Sequence, residues 1–139
     1  MSQALIGAFL VVHGLITTMI GFVAAANPNA PAMALPAWFA WWPGPFGRSW
    51  VFEAMNLGSG FQMLGGLVWL AAGLALIGGG IGWLGVAPLE GIRYSLLVGG
   101  ASLGLVALAL YFHPIYLAAV LINVALVALL WGRMATSAS

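Results

Sequence analysis

The chain has 139 residues, of which 64% are hydrophobic and 4% charged, with a formal net charge of +1 at pH 7 and a mean hydropathy of +1.14. A soluble domain carries about 25% charged residues, so this composition excludes an ordinary water-facing surface, and without a basic stripe it excludes nucleic-acid binding. There is no cysteine, hence no disulfide and no thiolate metal site.

The charged residues are Arg48, Glu53, Glu90, Arg93 and Arg133. No phosphate-binding loop, zinc-ligand spacing or dinucleotide fingerprint is present. The length accommodates one domain, residues 1–139, of about four spanning helices at roughly 20 residues each.

The first predicted helix covers residues 4–26 and is stopped by Asn27-Pro28, because a residue preceding proline is driven out of the helical region. Ala24-Ala25-Ala26 resembles a signal-peptidase site. However, the apolar run is about 22 residues against the roughly 7–15 of a signal h-region, and no basic residue precedes it, so a retained transmembrane helix is expected. Gly7, Gly14 and Gly21 recur every seven residues in it. His13 lies near its middle, and an ionisable group at that depth is costly enough to mark a candidate site.

The connection from Asn27 to Ser49 holds Pro28, Pro31, Pro36, Pro43 and Pro45 with Gly44 and Gly47. It also holds Trp38, Phe39, Trp41, Trp42 and Phe46, with Trp50 just beyond. Tryptophan favours the membrane–water boundary, so the stretch from Pro36 to Trp42 is expected to form an interfacial turn or short helix.

A second helix is predicted over 49–79, about 30 residues and roughly 45 Å long. That exceeds the hydrocarbon thickness, so the helix should tilt or project at its Arg48–Glu53 end. Ser49 suits its N-cap and Glu53 its first turns. The run Gly78-Gly79-Gly80 is expected to end it. A third helix is predicted over 89–112 and a fourth over 114–132. The short turn around His113 makes these two antiparallel neighbours, and Pro114 occupies a favoured first helical position. The tail from Met134 to Ser139 is expected to fray.

The expected architecture is therefore all-α: a polytopic membrane protein, an antiparallel four-transmembrane-helix bundle with a Trp/Pro-rich interfacial loop between helices 1 and 2. Helices in lipid associate through small residues and interhelical hydrogen bonds. Gly58, Gly65, Ala72 and Gly79 supply a seven-residue row in the second helix, and Gly100 and Gly104 a close pair in the third. Arg93, Arg133 and the N-terminus fall at one end and Arg48 at the other, so the positive-inside bias places both termini in the cytoplasm.

Each predicted span contributes a polar residue: His13 with Thr17, Gln62, Ser102 and Asn123. They are expected to meet in one buried polar cluster, because polar groups at membrane depth need partners. A second candidate is an outer-face pocket of Arg48, Glu53 and Asn56 with Trp38, Trp41 and Trp42. His113, beside Tyr111, Phe112 and Tyr116, reads as part of an aromatic belt. Haem held by His13 and His113 is not expected, since helix rise separates them by roughly 15–20 Å.

Three segments carry a resemblance: FLVVHGL (9–15), MLGGLVWLAAGLALIGG (63–79) and IYLAAVLINVALVALLW (115–131), the last with Asn123 as its polar residue. With them the chain resembles the DoxX-like small bacterial four-helix membrane proteins. It departs from them in having Thr17 and Thr18 where a basic residue often follows the first-helix glycine, and in its Trp-rich loop. The resemblance implies a bacterial inner-membrane location and an association with membrane redox complexes; no catalytic residue and no metal ligand is carried over. The functional expectation from the residues is a non-catalytic membrane subunit or scaffold, self-associating or joined to other subunits in the bilayer. The alternatives are a binder of a small hydrophobic molecule (quinone, pigment or lipid) near His13 or the Trp-rich loop and, as the resemblance alone implies, a component of a membrane redox enzyme.

Overall fold

The computed structural model describes residues 2–35, 37–39 and 41–137. Pro36, among the expected turn residues, and Ala138 and Ser139 of the expected frayed tail lie outside these. Helix α1 spans Gln3–Ala26, α2 Trp50–Ala54, α3 Ser59–Trp83, α4 Leu89–Leu110 and α5 Leu117–Ser137. Short 3-10 turns cover Ala37–Phe39 and Pro114–Tyr116, and no strand occurs among the described residues. Four helical stretches, Gln3–Ala26, Ser59–Trp83, Leu89–Leu110 and Pro114–Thr136, are long and apolar enough to cross a membrane.

The predicted helix over 49–79 is corrected at both ends. Its start is interrupted between α2 and α3, where Asn56 adopts φ +52°. The Leu57 N–H donates to the Phe52 carbonyl (2.8 Å) and the Asn56 N–H to the Glu53 carbonyl (3.0 Å). This is the paired bonding that closes a helix around one left-handed residue, a position asparagine tolerates better than most. Its far end continues through Gly78-Gly79-Gly80 to Trp83. Isolated glycines weaken a helix, but here tertiary contact overrides propensity. A Cβ on Gly79 would sit 2.6 Å from Leu97 Cγ, and one on Gly80 2.9 Å from the Val11 nitrogen. The chain turns only at Leu84-Gly85, where Gly85 has φ +87°.

The close packing of α1 on α3 rests on glycines from both helices. A Cβ on Gly14 would lie 2.7 Å from the Ile77 nitrogen, and one on Gly21 2.5 Å from the Leu70 nitrogen. Reciprocally, Gly73 faces Thr18 and Gly66 faces Ala25, each 2.5 Å from a backbone nitrogen. Contacts descend α3 as they ascend α1. The row on α3 that meets α1 is thus Gly66, Gly73 and Gly80. The row read from the sequence, Gly65, Ala72 and Gly79, faces α4 instead: Gly65 meets Tyr111, Gly79 meets Leu97, and Ala72 meets Gly100. Gly58, the fourth member of that predicted row, caps α3 in open space.

Helix α1 packs on α3, α3 on α4, and α4 on α5, while α1 and α5 barely meet. Two apolar clusters fill the interior. Leu10, Leu76, Leu97, Val98, Ala101 and Leu130 form one, and Trp69, Ala107, Leu108 and Tyr111 the other.

The long connection folds back on the α4–α5 turn. Ser49 is fully buried; its hydroxyl donates to the Leu110 carbonyl (2.7 Å) while accepting from the Phe52 N–H (3.2 Å). The Trp50 indole donates to the Ala109 carbonyl (2.8 Å). Phe39 and Phe46 present edge-on contacts to the His113 ring at 5.5 and 5.4 Å. His113 is therefore a buried anchor, 1% exposed, where the sequence suggested a boundary aromatic belt.

Candidate functional site

His13 projects from the buried stripe of α1 that also carries Leu10, Gly14 and Thr17, spaced to fall on one face. Its Nε2 lies 3.4 Å from Asn123 Oδ1 on α5, long for a hydrogen bond. For that contact the imidazole carries its proton on Nε2. Gly104 of α4 makes room for Asn123, since a Cβ there would lie 3.0 Å from the amide nitrogen. Thr17 donates to the His13 carbonyl at 2.8 Å, which satisfies its hydroxyl within the helix. Phe9 lies parallel to the imidazole with centroids 6.2 Å apart.

The other expected members of the polar cluster lie elsewhere. Gln62 is the fourth residue of α3 because the helix begins at Ser59, not ten residues earlier. Its Oε1 accepts from the Ser49 N–H (3.2 Å), and its backbone carbonyl accepts from the Tyr111 hydroxyl (3.0 Å). Gln62 therefore ties the loop to the bundle and has no bond to His13. Ser102 is half-buried on α4 and bonds to neither group.

The outer-face residues are likewise divided. Arg48 pairs with Glu53 at 2.6 Å and donates to the Ala30 carbonyl at 3.2 Å. Glu53 and Trp42 line a shallow cavity of about 280 Å³ with Pro43, Gly44, Pro45 and Trp50. Trp38 and Trp41 are 70% and 68% exposed, and Asn56 closes α2; none of the three lines that cavity.

The side left open between α1 and α5 holds a feature that the sequence did not reveal. Two adjoining apolar cavities, about 260 and 270 Å³, share Ile20, Phe46 and Tyr116 as common walls. The first runs under the loop past Met33; the second reaches His13, Thr17 and Trp69. Trp69 of α3 is 2% exposed, with its ring 5.8 Å from Tyr116 and 6.3 Å from Tyr111. Its indole N–H is buried without an acceptor among the described residues. A buried unpaired donor costs roughly 1–3 kcal/mol, so a molecule that brings an acceptor within its reach is favoured. A sequence signal was available: Trp69 lies deep within a span, whereas tryptophan prefers span ends.

Near the groove, His113 Nδ1 accepts from the Ile115 N–H at 3.2 Å and so caps the turn into α5. Burial holds its pKa below the ordinary histidine value. No cluster of side chains suited to a metal ion occurs among the described residues.

No family model matches the chain, and neither a curated protein nor a solved structure matches it.

Proposed function

We propose that this chain is an integral membrane protein, an antiparallel four-span bundle, that binds a small hydrophobic molecule in the groove between α1 and α5. The observation that carries the reading is an apolar groove that α1 and α5 leave open at the side, with Trp69, whose buried indole N–H has no acceptor among the described residues, in its wall. Such a groove admits a ligand from the bilayer without passage through water. The ligand class is an uncharged quinone, pigment or lipid with a carbonyl or ether oxygen for the indole, and His13 and Thr17 lie along the same wall.

The experiment is mass spectrometry of the organic extract from protein purified in mild detergent. The wild type is expected to retain one apolar compound. Ala118→Phe, which projects a ring from the exposed wall into the groove, is expected to lose it while remaining monodisperse. Trp69→Phe is expected to weaken retention about fivefold, the worth of one neutral hydrogen bond. An extract indistinguishable from the detergent blank would overturn the reading.

We further propose that both termini are cytoplasmic, with the Trp-rich loop at the outer boundary, on the charge bias of Arg93 and Arg133. Assignment to the bacterial inner membrane and to the DoxX-like group rests on the resemblance of the helix sequences. A second reading, a non-catalytic subunit of a larger membrane complex, draws on α5. It is the least buried of the four spans and presents Leu121, Val124, Leu129 and Trp131 outward. Co-purification of a partner that Leu121→Trp abolishes would favour it; a monodisperse single chain would count against it.

A further inference from the structure

At the end of the bundle away from the Trp-rich loop, all four long helices wall one cavity of about 310 Å³. Gln3 and Ile6 come from α1, Trp83 from α3, Arg93 and Tyr94 from α4, and Arg133 from α5. It shares no residue with the α1–α5 groove. The chain has three cationic side chains, and two of them line this single cavity. The third, Arg48, pairs with Glu53 at the opposite end.

The two arginines wall the same cavity as the Tyr94 phenol. Arg93 Nη2 donates to the Tyr94 hydroxyl at 3.2 Å, and Arg133 lines the same cavity from α5. Arg93 is held further by Glu90, 3.3 Å from its Nη1, and lies 4.8 Å from the centroid of the Tyr94 ring. Trp83 meets that ring edge-on at 6.1 Å and accepts on its carbonyl from Gln3 Nε2 at 2.8 Å. Arg93 is thus pre-positioned, while Arg133 makes no ion pair among the described residues. Glu90 offsets one of the two positive charges, which leaves the cavity with one in excess. Two cations lining one cavity call for an anion, and guanidinium forks match phosphate oxygens. Arg93 lies four residues into α4 and Arg133 four residues before the end of α5. At 1.5 Å per residue both sit about 6 Å from a helix end. That is the depth at which an arginine reaches lipid phosphates.

We propose that this cavity binds the phosphodiester of an anionic phospholipid, held by Arg133 and Arg93, with Trp83 and Ile6 against its glycerol and upper acyl carbons. The proposal rests on the bilayer location argued above but not on the groove ligand.

The test is native mass spectrometry and thermal unfolding of the detergent-solubilised protein with added phosphatidylglycerol, phosphatidylcholine or inorganic phosphate. The wild type is expected to retain phosphatidylglycerol about tenfold better than phosphatidylcholine, the scale of a charge-assisted hydrogen bond. Arg133→Gln is expected to abolish that preference, Arg133→Lys to keep part of it, and Arg48→Gln, which removes the same charge at the other end, to keep all of it. All three variants should run as the wild type in size exclusion. Equal retention of the two lipids by the wild type, or equal losses in Arg133→Gln and Arg48→Gln, would overturn the proposal. Stabilisation by millimolar inorganic phosphate equal to that by phosphatidylglycerol would overturn the lipid as occupant. Retention of the groove compound in Arg133→Gln keeps the two readings separate, since their lining residues do not overlap.

Discussion

His113 illustrates how much one buried polar atom can decide. Its Nδ1 accepts the Ile115 N–H, and Phe39 and Phe46 close over the ring. A protonated imidazole has no acceptor, so charging it would break the cap and place a cation among aromatic edges. The folded-state pKa is held below the ordinary value of 6.5, so in the window below 6.5 the unfolded chain binds more protons. The stability this residue contributes is therefore complete above pH 6.5 and is lost as pH falls through the folded-state value. The expected outcome is a smaller drop in Tm between pH 7.5 and pH 5 for His113→Asn than for the wild type. Asparagine can still cap the turn but does not titrate. The comparison also cancels the contribution of His13, which is common to both. The pairing of His13 with Asn123 and the unpaired indole of Trp69 belong to the same scale. The residue types were visible in the sequence. Which of them met was not, because partners 110 residues apart in the chain are chosen by packing.

At the scale of elements, the glycine periodicity marked where backbones approach, but one sequence row cannot say which neighbour it meets. Helix α3 carries two adjacent rows, one toward α1 and one toward α4, because it is packed on both sides. The triple glycine at 78–80 reads locally as a stop, and only the backbones pressed against Gly79 and Gly80 explain why it remains helical. This assigns different costs to similar substitutions. A Cβ on Gly73 would meet the Thr18 nitrogen at 2.5 Å and the Gly14 oxygen at 2.8 Å, whereas Gly99 has nothing within 4 Å. Gly73→Val is expected to lower stability by at least about 1–3 kcal/mol, the range for overpacking. Gly99→Ala is expected to be neutral or stabilising by a few tenths, from helix propensity. Thermal unfolding in one detergent, read by circular dichroism, compares the two directly. The interruption at Asn56 was legible in principle, since Asn-Leu-Gly offers a left-handed residue and then a flexible one. The helix predicted over 49–79 ran through it, and that early start placed Gln62 near the centre of its span, whereas the structure has it as the fourth residue of α3.

For the whole molecule, charge is confined to the two ends of the bundle. Arg48 and Glu53 lie at the loop end, and Glu90, Arg93 and Arg133 at the other. The absence of cysteine from the sequence makes orientation directly measurable. In intact spheroplasts, Asn29→Cys is expected to react with a membrane-impermeant maleimide. Ser2→Cys is expected to react only after the membrane is opened, and the reverse pattern would invert the proposed topology.

The sequence alone determined the all-helical class and the four apolar stretches, because hydropathy and length act locally and additively along the chain. It also set the approximate helix limits wherever proline or a polar break stood alone. Tertiary structure decided the rest. The gap between α1 and α5, the groove floored by Trp69, the separation of Gln62 from His13 and the convergence of Arg93 with Arg133 all arise from which faces the helices turn toward one another. That choice is made by close packing of distant small residues, and no window of the sequence contains both sides of such a contact.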